Sequence, residues 1–352
     1  MLPAVALIMC GLLVWVLAAF TAPDRPAPAA VGTRGERPDT HVQLARRESR
    51  APAADFAQVS AGYVHSCAAT RAGTVTCWGS DDEGQTTAPD GVADVVQMSA
   101  GDSHTCAVRG DGRVACWGYG EQGQTTPPER LRGVTQVSAG TYHTCAIATA
   151  SRAGSVVCWG RNDFGQAAAP PLRGARQVSA GFAHTCAVSA GGGVACWGRG
   201  DAGATTPPAD LGPIAQVAAG HDYTCAVTAG AVGGRVRCWG DDRFGQATPP
   251  AVLDGVVQVS AGFAHTCAVT ANGEVSCWGR DDYGQATPPT GLGRVSAVSA
   301  NGVHTCALTE AGAVRCWGGN GRGQALAPPS GRAPADRRPA DGGTAAVVVA
   351  SR

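Results

Sequence analysis

The sequence predicts an all-β fold, a seven-bladed β-propeller built from repeats of about 40 residues with one cross-strand Cys pair per blade. Three observations carry this. Cys-Trp-Gly occurs seven times, at Cys77, Cys116, Cys158, Cys196, Cys238, Cys277 and Cys316. Each has an earlier partner, at Cys67, Cys106, Cys145, Cys186, Cys225, Cys267 and Cys306, and these partners stand 39, 39, 41, 39, 42 and 39 residues apart. No stretch has the amphipathic period that a helical solenoid would need, and 50 Gly with 22 Pro disfavour helix throughout.

The chain opens on an apolar segment. Residues 2–20 (LPAVALIMCGLLVWVLAAF) carry no charge and are long enough to cross a bilayer, so 1–20 reads as a signal peptide or membrane anchor. Cys10, preceded by Met9, reads as a buried cysteine rather than a lipidation site. No Arg comes before the segment, while Arg25, Arg34 and Arg37 follow it, against the usual rule for charge. A start farther upstream would supply the basic region. The cysteines decide the compartment as extracytoplasmic, with the chain secreted or anchored through 2–20. Residues 21–53, rich in Pro, Ala and Arg, read as a disordered linker.

The repeats run from about 54 to 331, and one unit reads QVSAGFAHTCAVTANGEVSCWGRDDYGQATPP (258–289). QVSAG, HTCAVT and EVSCWG are short β-prone runs separated by turn residues. Pairing Cys67 with Cys77 and continuing to 70 and 74 leaves the loop Arg71-Ala72-Gly73. That is a three-residue hairpin with Gly where a positive φ is needed. The second residue after each Cys-Trp-Gly is Asp81, Gly120, Asn162, Gly200, Asp242, Asp281 or Asn320. These types suit an Asx turn better than a calcium loop, since Gly serves equally well. The ring is expected to close by bringing residues 56–60 beside the seventh repeat, and 332–352 reads as a disordered tail.

Composition narrows the function. Lys+Arg and Asp+Glu are both 27, and every basic residue is Arg, which excludes lysine Schiff-base and phosphate-loop lysine chemistry. The propeller span holds 17 Arg against 21 Asp and Glu, so nucleic acid is not an expected partner. No cofactor or metal is expected. The chain is expected to be monomeric and to meet a membrane only through 2–20.

Three readings compete for the fourteen repeat cysteines: disulfides, reduced core thiols, or zinc ligands joined by the nearby His. Strict pairing and the apolar leader favour disulfides, at Cys67–Cys77, Cys106–Cys116, Cys145–Cys158, Cys186–Cys196, Cys225–Cys238, Cys267–Cys277 and Cys306–Cys316. His65, His104, His143, His184, His265 and His304 share one position, taken by Tyr223 in the fifth repeat. Repetition around a ring argues against catalysis and for a structural hydrogen bond, with a ring of metal or proton ligands as the other reading. The recurrent Gln85, Gln124, Gln166, Gln246, Gln285 and Gln324 read as blade-to-blade contacts, and Ala204 breaks that series.

Aromatics outside Cys-Trp-Gly gather in two loops. Tyr63, Tyr142, Phe182, Tyr223 and Phe263 lie in or at the end of the Ala-Gly-x-x-His turn. Tyr119, Phe164, Phe244 and Tyr283 lie between Cys-Trp-Gly and Gly-Gln. With Arg161, Arg243 and Arg280 they have the composition of a protein-binding surface. For Phe164, Phe244 and Tyr283, packing between blades is an equal alternative. His221-Asp222-Tyr223 is the one polar cluster that breaks the sevenfold pattern and could serve an enzyme.

The pattern HTCAVT…GEVSCWGRDDYGQ resembles the repeat of the regulator of chromosome condensation family, whose units form seven-bladed propellers. The resemblance covers all seven units, roughly 280 residues. It is similar in particular to secreted bacterial members such as beta-lactamase inhibitory protein II, which also carry a turn like Gly84-Gln85-Thr86-Thr87 and Gly123-Gln124-Thr125-Thr126. That resemblance implies a non-enzymatic, secreted propeller that binds another protein, as an interaction scaffold or an inhibitor. The family's eukaryotic namesake implies the alternative, an intracellular guanine-nucleotide-exchange-like regulator.

Overall fold

The computed structural model describes residues 55–326, apart from 150–153, 173 and 232. The expected leader 1–20, the linker 21–53 and the tail 332–352 lie outside the described residues. Twenty-one strands form seven three-stranded antiparallel sheets, each made from one contiguous repeat. In the first blade the inner strand is Phe56–Ala61, the middle strand His65–Thr70 and the outer strand Val75–Gly79. Among the described residues there is no helix.

Each middle and outer strand pair places its two cysteines directly opposite, as in Cys67 with Cys77, and all seven pairs are disulfides. The hairpin loop closes over Arg71-Ala72-Gly73, where Thr70 N–H donates to Thr74 O and Gly73 takes φ 76°. Seven such staples suit an oxidising environment outside the cytoplasm.

The core lies between blades. Trp117 packs with Cys67, Ala69 and Met98, so each Trp covers the disulfide of the preceding blade. Trp78 meets Cys316 in the cluster formed by Phe56, Ala68, Leu308 and Val314, which closes the ring. The expected closure is therefore present, but through packing and single hydrogen bonds such as Phe56 N to Gly312 O at 3.1 Å: the first and last blades share no strand.

Every inner strand exposes one unpaired edge to its neighbour, a feature that needs cover. Two side chains of the preceding blade supply it. Gln97 Oε1 accepts from Val137 N at 2.8 Å while its Nε2 donates to Val137 O at 3.1 Å. Ser99 Oγ accepts from Ala139 N at 3.0 Å. The Gln position recurs as Gln58, Gln136, Gln177, Gln216 and Gln258, and becomes Ala297 in the seventh blade. Of these two edge clamps, the seam to the first blade keeps the Ser299 bond to Ala61 N alone, at 2.9 Å.

Candidate functional site

The six repeated histidines are buried and occupied. His104 Nε2 lies 2.9 Å from Thr144 Oγ1 of the next blade, and that hydroxyl donates to Gln124 O at 2.9 Å. The pattern continues around the ring and ends with His304 on Ser66 Oγ at 2.7 Å. Since each hydroxyl has one proton and gives it to a carbonyl, His Nε2 must be the donor. Burial lowers these rings to pKa values of about 3 to 4, so they are neutral. Among the described residues, no group of three or more His, Cys, Asp or Glu is placed to hold a metal ion.

Tyr223 needs correction as a partner-binding residue. It is fully buried, its hydroxyl donating to His265 O and lying 2.9 Å from Thr266 Oγ1, which donates to Gln246 O at 2.8 Å. It takes the structural role of the His it replaces. The recurrent Gln side chains also act differently from expectation. Gln85 Oε1 accepts from Glu83 N within its own loop, while its backbone carbonyl bridges the blades by accepting from Thr105 Oγ1 and Trp117 Nε1. Ala204 is tolerated because only its carbonyl is needed, and it accepts from Thr224 and Trp239.

The Asp and Asn residues that follow Cys-Trp-Gly cap their own turns, but by reaching the backbone N–H five residues on rather than the two of an Asx turn. Asp81 Oδ1 accepts from Thr86 N and Asp81 Oδ2 from Thr87 Oγ1, at 2.7 and 2.6 Å. Asn162 and Asp242 cap their loops through the same backbone position. Where Gly stands instead, at Gly120 and Gly200, the hydroxyls of Thr125 and Thr205 fill the space a side chain would take.

The two aromatic loop sets converge on one face. The backbone N–H after each Cys-Trp-Gly donates to the Ala-Gly-x-x-His turn of its own blade, as Arg161 N to Tyr142 O and Arg280 N to Ala264 O, both 2.8 Å. An antiparallel meander puts its first and third loops at the same end, and these bonds clamp them together. Inner positions of the turns ring a central cavity of about 150 Å³, lined by Tyr63, Asp102, Thr141, Phe182, His221 and Phe263 among others. Phe182 stacks on His221 at 3.9 Å between centroids, His221 meets Phe263 at 4.4 Å, and Tyr63 meets Phe263 edge-on at 6.2 Å.

Farther out, Tyr119 packs edge-on against Tyr142 at 6.0 Å, and Arg161 lies over the Tyr142 ring. Phe164 and Phe244 are half exposed, yet Arg199 and Arg280 of the following blades lie over them, so they serve both as inter-blade contacts and as surface. Tyr283 is the most exposed of the three, at 59%. Its following blade offers Gly319 where the others offer Arg. Arg161, Arg199 and Arg280 are each paired with the Asp two positions on, and Arg243 with Asp241. The two loop sets hold twelve Asp and Glu against five Arg, so the face is acidic. Sequence reasoning missed Asp102 and Thr141, and it treated His221 only as part of a candidate enzyme site. The signal was available, since all three occupy the turn position of Tyr63, Phe182 and Phe263.

Several solved structures share the fold. The CRINKLY WD40 ectodomain of the Arabidopsis thaliana receptor kinase ACR4 superposes with TM-score 0.62 at 23% identity, covering 75% of this chain and 97% of that one. The ectodomain of the Physcomitrella patens receptor kinase CR4 gives 0.63 at 23%, over 75% and 74%. Prp20p of Saccharomyces cerevisiae gives 0.59 at 17%, over 70% and 80%. No curated protein matches the chain by sequence. The family model "Regulator of chromosome condensation (RCC1) repeat" matches at residues 56–85, 95–124, 134–166, 175–204, 214–246, 256–285 and 295–324. With one match per blade and most of the chain covered, this propeller belongs to the regulator of chromosome condensation (RCC1) repeat family.

Proposed function

We propose that this chain is a non-enzymatic, extracytoplasmic module that binds another protein through its loop face, as a scaffold or as an inhibitor of a secreted protein. One observation carries the reading: both aromatic loop sets lie on one face, presented by a ring whose every blade is disulfide-stapled. Rigid presentation limits the ordering entropy lost on binding. Exposed aromatics and Arg are the residue types that anchor protein interfaces. Among the fold relatives, two are receptor-kinase ectodomains, and Prp20p is described by its binding to Gsp1p and histones. The disulfides weigh against the intracellular exchange-factor alternative. Secretion or anchoring through residues 2–20 belongs to the same proposal, and so does a monomeric state.

The test is affinity capture from the extracellular fraction, comparing the disulfide-bonded protein with a Tyr142→Ala, Phe182→Ala, Phe263→Ala triple variant. A partner retained by the first and lost by the folded second supports the face. Equal retention removes it.

A further inference from the structure

The channel mouth combines two features that the family's repeat pattern does not require. On one side, Tyr63, Phe182, His221 and Phe263 form a continuous aromatic cluster from the first, fourth, fifth and sixth blades. On the other, Asp102 of the second blade lines the same cavity. It is half-buried there, and desolvation by the cavity wall raises its pKa, opposed by the Thr141 hydroxyl and the His221 ring. The five Arg of this face are all committed to other carboxylates, Arg322 to Asp82 at 3.1 Å.

We propose that the channel mouth seats an arginine side chain of the protein partner, its guanidinium laid on the Phe182–His221–Phe263 cluster and directed at Asp102. This rests on the protein-binding reading above. Ring faces attract a cation, and a flat guanidinium stacks on them while keeping its N–H groups for a carboxylate. His221 Nδ1 is held by Asp222 Oδ2 at 2.8 Å, which fixes the ring against Phe182. Phe182 and His221 are already in contact, so the guest lies on the cluster over the cavity rather than between the rings. The acidic surround of twelve carboxylates against five Arg adds long-range attraction for a basic partner.

The experiment titrates the intact, disulfide-bonded protein with N-acetyl-argininamide and with its neutral citrulline analogue, following the His221 ring-proton resonances by NMR. The resonances are assigned by their absence from a His221→Gln variant. Saturable shifts with the arginine compound, none with citrulline, and roughly tenfold weaker binding in Asp102→Asn are expected. Equal shifts with both compounds, no saturation, or unchanged binding in Asp102→Asn would overturn the arginine seat. Thermal melts of the variant exclude misfolding as the cause. The capture experiment with the aromatic variants is independent of this one, so loss of the arginine seat leaves the binding face to be judged separately.

Discussion

His104 gives its Nε2 proton to Thr144 of the next blade across 2.9 Å, and Thr144 passes its own to Gln124 O. This relay holds each blade to the next and leaves His104 Nδ1 without a partner. The Nδ1 edge faces the Gly101 backbone so closely that a Cβ on Gly101 would strike the ring, and Gly140 O as well. Thr144→Val removes the hydroxyl at nearly constant volume and orphans a buried donor. It is expected to cost about 1–3 kcal/mol in denaturant unfolding, while Thr144→Ser loses much less. If Val and Ser behave alike, packing rather than the relay holds the junction.

Acid should loosen the ring through the same histidines. Their folded pKa values are about 3 to 4, lowered by burial from 6.5. The unfolded chain therefore binds more protons below pH 6.5, and stability falls as pH drops from there toward the folded values. Each histidine contributes about 1.4 kcal/mol per pH unit once the unfolded form is fully charged. Unfolding near pH 5 should take up close to six protons from this source, measurable as the pH slope of the free energy of unfolding. A flat slope between pH 6.5 and 5 would contradict the neutral, buried assignment.

The hairpins were legible because the Cys spacing sets their register, and a structural hydrogen bond at the His position because Tyr can replace His only as a hydrogen-bonding ring; its Thr partner on the next blade was not. Nor was the Gln58 series. In QVSAG it looks like the polar member of an alternating strand, and its task, covering a free strand edge, exists only once a ring brings blades side by side. Gln85 was misjudged for the converse reason. A repeated side chain drew attention while the bridging atom was its backbone carbonyl, which no sequence displays. The shared face of both loop sets follows from strand parity alone.

The seam between the seventh and first blades can be strengthened. Ala297 stands where six other blades carry Gln, so the edge of Val59 lacks the amide clamp that Gln97 gives Val137. Ala297→Gln is expected to add about 1 kcal/mol. For a domain of this size that raises the melting temperature by about 2–4 °C. Gln136→Ala should lower it comparably. An unchanged melt in Ala297→Gln would show that seam packing around Phe56 and Leu308 already saturates closure.

Oxidation state is directly measurable. Intact mass after alkylation in denaturant should show no adducts on the fourteen repeat cysteines until reductant is added, then fourteen. Adducts without reductant would mean a reduced chain, and the extracytoplasmic placement would fail with it.

Asp102 offers a separate test, through stability rather than binding. Burial raises its folded pKa above 3.8, so folding favours the protonated acid. The sign is opposite to that of the histidines: this group's penalty is absent below the unfolded pKa and sets in as pH rises past it. Asp102→Asn keeps the shape and the contact with Thr141 while removing the charge. It should therefore melt at a higher temperature than the native protein at pH 7, and at the same temperature below about pH 3.5. A binding residue that costs its own fold stability is what a site selected for a cationic guest requires. If Asp102→Asn melts lower at pH 7, the carboxylate is already satisfied within the fold and has no need of a guest.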